Sequence, residues 1–555
     1  MDHVPDYSRF FTVDELLNHS RTVAFNHTDL VHYQNIGTSR NGETISMLSI
    51  GNGTKSLLLY ACPHPNEPIG SLLIDYLLSV LFDYSELLMT YTWHLIPCID
   101  PDGTRLNEGW FSGPFTIRNY ARYFYRPRTE EQVEWTFPIT YKNYSWTTPS
   151  NETQALMYAI RLVQPDFLYG LHNSGFGGMY YYISQPLVDI FPELEQLPST
   201  LGLYLAKGEA EAPWVTQYAP AIFSPLSLVG AYDYYEKYTT TDPVTMMYGG
   251  GTSYDYLNEI NLNKTIFLMA ELPYFQSPSV TNDTIIPNVT RRDVLLQGLD
   301  KDDESNTILM YLLQEIKSAM TLDSSFYRAS RSLLELYNST AASRRQAVLN
   351  DNSTLQPATI ASRADALYIS VFYKMLIASM LDRAIILQIQ QPSADIKLSF
   401  YRASRSLLEL YNSTAASRRQ AVLNDNSTLQ PATIASRADA LYISVFYKML
   451  IASMLDRAII LQIQQPSADI KLLENAQIEL EHHLDIWIND IEQNLFYTPI
   501  RIRNLVQAQL GTMLTILPKV ATSSASSRKI SLFEGFSTFL LSFLLFRFFC
   551  LLHFQ

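Results

Sequence analysis

The sequence predicts an α/β protein with a mixed, largely parallel sheet flanked by helices, followed by an all-helical C-terminal domain. Two observations support this fold class. In the first half of the chain, short continuous apolar runs alternate with stretches of helical periodicity, as in sheets whose strands are buried on both faces. After about residue 291 the helical periodicity continues, while strand signals nearly vanish.

Four apolar runs are the predicted core strands, and they lie at 56–63, 92–98, 166–172 and 265–272. A helix follows the first run, because the apolar residues from Ile69 to Val80 recur at the spacing of one helical face. Pro68 suits the start of this helix, where its missing N–H costs nothing. The order of strand, helix and strand is typical of a parallel sheet.

The composition excludes several classes of protein. The chain has 555 residues, of which 47% are hydrophobic and 17% charged, so it is neither intrinsically disordered nor a coiled coil. A formal net charge of −14 argues against a general nucleic-acid binder, which needs clustered Lys and Arg. Three cysteines are too few for a disulfide framework or a Cys-rich zinc module.

We predict three parts: a catalytic domain at 1–290, a helical domain at 291–525, and a Ser-rich linker with a hydrophobic tail at 526–555. The helical part contains an identical tandem duplication, because residues 325–398 recur without a change at 399–472. Old repeats diverge, so this copy is recent. It is either a duplication in the gene or an assembly error. Two units are too few for a solenoid.

The two ends of the chain bear on location. The N-terminal stretch shows no basic region followed by an apolar core, so we expect a cytoplasmic protein without a secretory signal. The Phe/Leu-rich tail at 533–555 adds the alternative of a C-terminal membrane anchor. Only 12 uncharged residues separate Glu534 from Arg547, fewer than the roughly 20 that a span needs. Translation out of frame is the other interpretation of this tail.

Four chemically distinctive side chains stand at or just after predicted strands. His64 and Glu67 follow the first run, His172 ends the third, and Glu271 lies near the end of the fourth. The carboxyl ends of parallel strands meet at one sheet edge, so these side chains are expected to converge. Two histidines and a glutamate form a three-ligand zinc set that leaves a position for water. Glu271 would be the carboxylate that accepts a proton from this water.

Further motifs lie in the same order and at similar spacing to those of the carboxypeptidase A-like zinc metallocarboxypeptidases, which the chain resembles over residues 30–275. The motifs are IGTSRNGETISMLSIGNG (36–53), HPNE (64–67), DPDG (100–103), SNETQAL (150–156), LHNSG (171–175), GTSYDY (251–256) and AEL (270–272). DPDG departs from the family pattern, in which Asn stands at the position of Asp100.

The resemblance implies roles for individual residues. His64, Glu67 and His172 would bind one Zn²⁺ per chain, and Glu271 would be the general base. Arg118 and Arg122 are the candidates for the arginine that stabilises the oxyanion, since a positive charge offsets the developing alkoxide. Tyr248 is the candidate for the mobile tyrosine over the substrate.

One departure concerns the substrate's terminal carboxylate. Where the family has an acid followed by an Asn-Arg pair, this chain has Glu134, Trp135 and Thr136 in QVEWTFP (132–138). The bidentate clamp is therefore missing at its usual place. The nearby candidates for a replacement cation are Arg105, Arg126 and Arg128.

The expected function is that of a zinc metalloprotease, a hydrolase that removes C-terminal residues from peptides or from peptide-like, possibly cell-wall-derived, substrates. Two alternatives stay open at this point: a zinc-dependent deacylase, whose relatives also use an H-x-N-E motif, and a catalytically silent, membrane-tethered interaction protein. A second histidine pair, His482 and His483, is expected on a solvated helix face, because adjacent helical positions cannot easily share one metal.

Overall fold

The structure is a computed structural model that describes residues 1–317, 320, 322–366, 370–389 and 496–523. Its strands β1–β15 are Val31–Thr38, Thr44–Ile50, Lys55–Ala61, Tyr91–Ile96, Ile139–Tyr141, Tyr144–Trp146, Phe167–Leu171, Asn173–Phe176, Tyr180–Ile183, Gln217–Ala219, Ile222–Phe223, Ile266–Gln276, Ile285–Thr290, Pro357–Thr359 and Thr498–Pro499.

The α-helices within the described residues, numbered α1–α15, are Val13–Asn26, Ile69–Val80, Ser85–Thr90, Pro101–Arg105, Glu108–Phe111, Ile117–Tyr123, Asn151–Val163, Phe191–Thr200, Leu228–Tyr238, Ser253–Glu259, Arg291–Ile316, Ser325–Asn350, Ile360–Ala364, Ser370–Ile389 and Ile502–Thr522.

The main sheet has 11 strands, and its path runs β1-β2-β4-β3-β7-β12-β9-β11-β10, with β8 and β15 pairing with the far end of β12. The four central strands, β4, β3, β7 and β12, are parallel to one another. The pairs β1–β2, β2–β4 and β9–β12 are antiparallel. The prediction of a mixed, largely parallel sheet flanked by helices is therefore confirmed.

The apolar runs became strands because both faces of the central sheet are covered. In β3, Leu57 and Leu59 point into a core with α2 and α15, while Leu58 and Tyr60 point into a second core with α7 and α10. Each of the four predicted runs coincides with a central strand, and β12 extends to Gln276, beyond the predicted end. The predicted helix over 69–80 is observed as α2, directly after Pro68.

The C-terminal part is largely helical where the structure describes it. Helix α12 packs against α11, α14 and α9, and α14 packs against α6. Helix α15 lies against α2, α8 and β12 of the sheet region. The boundaries at 290 and 525 stay a prediction.

Several predicted features lie outside the described residues. These are the whole second repeat copy at 399–472, the pair His482 and His483, and the tail at 533–555. Within the part of the chain that is described, no helix is long and apolar enough to cross a membrane.

Candidate metal centre

The centre forms where three parallel strands lie side by side. β3 pairs with β7, placing Ala61 opposite Leu171, and β12 pairs with the other edge of β7, placing Met269 opposite Gly170. His172 follows the last residue of β7. Glu271 lies two residues beyond Met269 in β12, and His172 lies two residues beyond Gly170, so His172 and Glu271 are at the same level of the sheet. The predicted convergence at this edge of the sheet is observed.

The loop after β3 turns sharply and presents His64 and Glu67 together. Cys62 at its start has a φ of 53°, a left-handed conformation that a non-glycine residue seldom adopts. The Glu67 N–H donates a hydrogen bond of 3.0 Å to the His64 carbonyl, which closes the turn. The Tyr274 hydroxyl donates to the Asn66 carbonyl at 2.7 Å and fixes the loop against β12.

His64, Glu67 and His172, which we call the metal cluster, are buried and offer ligand atoms that all lie within 4.8 Å of one another. The His64 Nδ1 atom is 2.9 Å from Glu67 Oε1, and His172 Nδ1 is 3.0 Å from Glu67 Oε2. Within the described residues, His64 Nε2, Glu67 Oε2 and both ring nitrogens of His172 are buried and meet no partner in hydrogen-bond geometry, so the contact of His172 Nδ1 with Glu67 Oε2 is one of charge alone. Buried polar atoms are normally satisfied, so this donor set fits a bound cation such as Zn²⁺.

The electrostatics of the metal cluster also favour a cation. Burial, with a contribution from Arg126, lowers the pKa of His64 to about 4. Burial also disfavours the protonated form of His172, but Glu67 and Glu134 outweigh it and raise the pKa of this imidazole to about 10. Burial opposes ionisation of Glu67, yet the two histidines hold the pKa of its carboxyl well below the usual range. A divalent cation would compete with protons for these atoms.

Glu271 lies beside the metal cluster. Its Oε1 atom is 3.7 Å from His172 Nδ1, and the residue is 7% exposed. Burial raises the pKa of the Glu271 carboxyl well above its ordinary value; His172 opposes this shift and Glu67 adds to it. A carboxyl group in such a place is suited to exchanging protons with a neighbouring water.

Two supporting residues were not assigned a role from the sequence. Glu134 is buried, accepts hydrogen bonds from Tyr60 and from the Ser253 backbone N–H, and lies 3.9 Å from His172 Nε2. A carboxylate behind a ligating histidine fixes its orientation and tautomer. The only signal in the sequence was that Glu134 occupies the acid position of QVEWTFP. Gln509 on α15 donates to the His172 carbonyl at 3.0 Å, and no local pattern marked it.

The predicted arginines fall in different places. Arg126 Nη1 is 3.5 Å from Glu67 Oε1, at the edge of the metal cluster. Arg128 pairs with Glu131 at 2.9 Å, and Arg105 pairs with Glu43 and Asp14 at 2.8 and 2.7 Å. On α6, Arg118 is half-buried and Arg122 is exposed, and their predicted role at the oxyanion stays a prediction.

Two further predictions concern Tyr248 and the missing clamp. The Tyr248 hydroxyl shares a 2.8 Å hydrogen bond with Ser339 Oγ on α12, and Tyr248 lines a cavity that also contains Arg126. Its role over the substrate stays a prediction. Thr136, at the position of the family's arginine, is buried and hydrogen-bonds with Thr153 at 2.6 Å. No cation stands at that position.

Comparison with known proteins gives one family. Residues 16–132 match the family model of the zinc carboxypeptidases. This segment contains His64, Glu67 and Arg126, whereas His172 and Glu271 lie beyond it. A search of curated protein sequences finds no match.

Solved structures with a similar arrangement include three carboxypeptidase-type proteins. Bovine thrombin-activatable fibrinolysis inhibitor is 12% identical, with 47% of this chain and 86% of that chain covered and a TM-score of 0.30. Carboxypeptidase A from Helicoverpa armigera is 14% identical, with coverages of 48% and 65% and a TM-score of 0.32. A metallo-carboxypeptidase from Burkholderia cenocepacia is 14% identical, with coverages of 47% and 60% and a TM-score of 0.27.

At these TM-scores the structural likeness carries no argument of its own. The assignment rests on the family match and on the buried His-Glu-His donor set, of which the first two members lie inside the matched segment. Residues 16–132 thus resemble the zinc carboxypeptidases, and the buried His-Glu-His set offers the donor atoms that a metal-dependent hydrolase needs.

Proposed function

We propose that the protein is an exopeptidase that removes C-terminal residues from peptides or peptide-like substrates, with Glu271 as its general base. The observation that supports this proposal most directly is the buried Glu271 carboxyl, 3.7 Å from the His172 nitrogen that faces Glu67. A proton acceptor is thereby held next to the atoms that would bind zinc.

His64, Glu67 and His172 would hold the zinc ion, which when bound supplies Lewis acidity toward a carbonyl and toward water. Glu271 accepts a proton from the attacking water and delivers it to the nitrogen of the leaving amine. Glu134, whose own carboxylate is fixed by Tyr60 and Ser253, places a negative charge 3.9 Å behind the His172 ring. The burial of all these groups excludes bulk water and strengthens each charge interaction.

Arg126 is the arginine we assign to the reacting carbonyl. Its guanidinium lies 3.5 Å from Glu67, a proposed zinc ligand, so its charge would offset negative charge that develops on a substrate oxygen beside the metal cluster. Arg105 and Arg128 are engaged in ion pairs elsewhere, with Glu43 and Glu131.

The general base is tested by Glu271→Gln, which keeps the shape of the side chain but removes the proton acceptor. We expect the variant to retain zinc and to lose at least about 10²–10⁴-fold in kcat, the range typical of a lost general base. Glu259→Gln is the matched control, because Glu259 is exposed on α10. Near-normal turnover by Glu271→Gln would assign the proton transfer to another residue.

The role of Arg126 is tested by Arg126→Ala with a peptide acid and its amide. We expect kcat/KM to fall by about 10²–10³-fold for both substrates, the cost of removing one donor to an oxyanion. A loss confined to the free acid would instead show that Arg126 binds the terminal carboxylate. Arg128→Ala is the control, since its guanidinium already pairs with Glu131.

A zinc-dependent deacylase is the second candidate, and one observation favours it. The position of the family's carboxylate-binding arginine is taken by Thr136, whose hydroxyl is used in the protein interior. A panel of peptide acids, peptide amides, N-acyl amino acids and cell-wall peptides separates the two activities. Faster hydrolysis of N-acyl amino acids or amides than of peptide acids would favour the deacylase activity over the exopeptidase activity.

A cytoplasmic location is also our proposal. Cys62 and Cys98 are buried free thiols, which is the usual state of cysteine in a reducing compartment. Cell fractionation of the full chain, compared with a chain that ends at residue 525, tests this proposal and the alternative of a membrane anchor at 533–555 together.

A further inference from the structure

A cavity of about 330 Å³ is lined by residues of the sheet region and of helices α9, α12 and α14. Arg126 lines it and contacts Glu67 at 3.5 Å, so one end of the cavity adjoins the proposed reaction centre. Trp135 and Trp214 contribute to the wall from the sheet region. The cavity is therefore placed to receive a part of the substrate that lies beside the reacting bond.

The opposite wall comes from the helical part of the chain. Leu333, Leu336 and Tyr337 line the cavity from α12, and Tyr373 lines it from α14. Positions three and four apart lie on one helical face, so a single face of α12 is turned toward the cavity. The closing surface thus belongs to elements outside the central sheet and outside residues 16–132, the segment matched by the family model.

Helix α12 is fixed in this position by contacts with the loop that carries Tyr248. Ser339 hydrogen-bonds with the Tyr248 hydroxyl at 2.8 Å, and Ser343 with the Thr241 hydroxyl at 2.8 Å. The helix also packs against α9, which carries another part of the cavity wall. The wall from α12 is therefore a built part of the cavity.

The chemistry of the lining defines what fits. Apolar and aromatic groups form most of both walls, and two guanidinium groups also line the cavity: Arg126, beside Glu67, and Arg344 on α12, paired with Asp302. A ligand with a bulky apolar body matches this arrangement. We infer that α12 forms the specificity wall for the residue that is released, and that Leu336 selects for a large apolar side chain at this position. This inference rests on the proposed exopeptidase function.

The experiment changes the size of the cavity at Leu336, which is only half-buried and outside the core. Leu336→Trp fills the cavity, and Leu336→Ala enlarges it. The duplication offers matched controls, because Leu410 has the identical sequence context in the second copy and lies outside the described residues. kcat/KM is measured with two peptides that differ only in ending in Phe or in Ala.

We expect wild-type protein to prefer the Phe peptide by about 10- to 100-fold, from burial of the aromatic ring. Leu336→Trp should reduce this ratio about 10-fold, whereas Leu410→Trp should leave it unchanged. The double variant should behave like Leu336→Trp alone. An unchanged ratio in Leu336→Trp and in the double variant would overturn the inference, and a change in Leu410→Trp alone would assign the wall to the second copy instead of α12.

Calorimetric binding of N-acetylphenylalanine and N-acetylalanine to the full chain separates this inference from the proposed function, because binding needs no turnover. Wild-type protein should prefer the phenylalanine compound, and Leu336→Trp should remove most of that preference. If wild-type protein hydrolyses no peptide yet shows this pattern, the exopeptidase proposal fails and the pocket assignment stands. If peptides are hydrolysed and neither preference responds to Leu336, the pocket assignment alone fails.

Discussion

Two buried polar clusters in this molecule are built from similar groups but differ in how their charges are satisfied. The metal cluster of His64, Glu67 and His172 lies at the edge of the sheet. The second, which we call the helical cluster, consists of Asp302, Tyr337, Arg344 and Lys374 on α11, α12 and α14. Asp302 and Lys374 are as buried as the metal cluster, whereas Tyr337 and Arg344 are half-buried, so the comparison concerns the partners of the buried charges.

In the helical cluster the charges are compensated by the protein itself. The two oxygens of Asp302 lie 3.1 Å from Lys374 Nζ and 3.0 Å from Arg344 Nη1. The Lys374 ammonium also lies 2.9 Å from the centre of the Tyr337 ring, a cation–π contact. Burial lowers the pKa of Lys374 to about 7, against the opposing effect of Asp302.

In the metal cluster, three side chains bring ligand atoms within 4.8 Å of one another, Glu134 and Glu271 add acidic groups beside His172, and Arg126 lies beside Glu67. The comparison teaches that burial of charged groups does not by itself mark a functional site. In the helical cluster the Asp302 carboxylate pairs with two cations and holds helices together, whereas the metal cluster brings three ligand side chains within reach of one ion.

The largest expected effect comes from removing a metal ligand. Purified protein should contain about one Zn²⁺ per chain, and His64→Ala or His172→Ala should reduce this to a small fraction and abolish hydrolysis. Metal analysis by atomic emission, with exposed His32→Ala as the control, measures it. Full zinc retention in both ligand variants would refute the assignment of this cluster.

The helical cluster should respond in the opposite way. Asp302→Asn leaves the buried Lys374 and the half-buried Arg344 without their carboxylate, so unfolding should cost about 3–5 kcal/mol less while zinc content is unchanged. Urea unfolding measures the stability, and Asp303→Asn, which affects a more exposed pair with Arg345, should cost less than about 1 kcal/mol. Zinc loss in Asp302→Asn would show that the two clusters are not independent.

His94 shows what burial does without a charged partner. It lies in β4, hydrogen-bonded to Ser49 at 2.8 Å, and burial lowers its pKa to about 4. In the unfolded chain His94 takes up a proton near pH 6.5, whereas in the folded chain it does so only near pH 4. The contribution of His94 to the free energy of unfolding is therefore fully present above pH 6.5 and is lost as the pH falls toward 4.

Between pH 7 and pH 5 this one residue should cost about 1–2 kcal/mol of stability. The free energy of unfolding is measured with urea at pH 7 and at pH 5. The difference between the two values should be smaller by that amount in His94→Gln than in wild type. The exposed His32→Gln variant is the control. An identical pH dependence in wild type and His94→Gln would mean that His94 is protonated equally well in the folded chain.

Much of the centre could be predicted from local sequence. The strands at 56–63 and 166–172 are buried on both faces, so their sequences are continuously apolar and do not alternate between apolar and polar residues. Parallel pairing then brings the ends of such strands to one edge, so the positions of His64, Glu67 and His172 in the chain were enough to group them. The strand order itself follows from no local pattern.

Other residues of the centre could not be found in this way. Gln509 lies on α15, more than 300 residues along the chain from His172, and contacts its carbonyl only because that helix packs on the sheet. Arg126 was one of several arginines in RNYARYFYRPR, and sequence spacing could not separate it from Arg122 or Arg128. Its distance to Glu67 depends on how the segment after α6 folds back over the sheet edge.

The sequence by itself determined the strands, their burial, the types of metal-ligand residue and the resemblance to the zinc carboxypeptidases, because each depends on residues close together in the chain. Only the tertiary structure decided which cation reaches the centre, which glutamate supports His172, and that α12 closes the cavity beside Arg126. These depend on contacts between segments far apart in sequence. Such contacts are set by packing of the whole fold, and no short-range pattern encodes them.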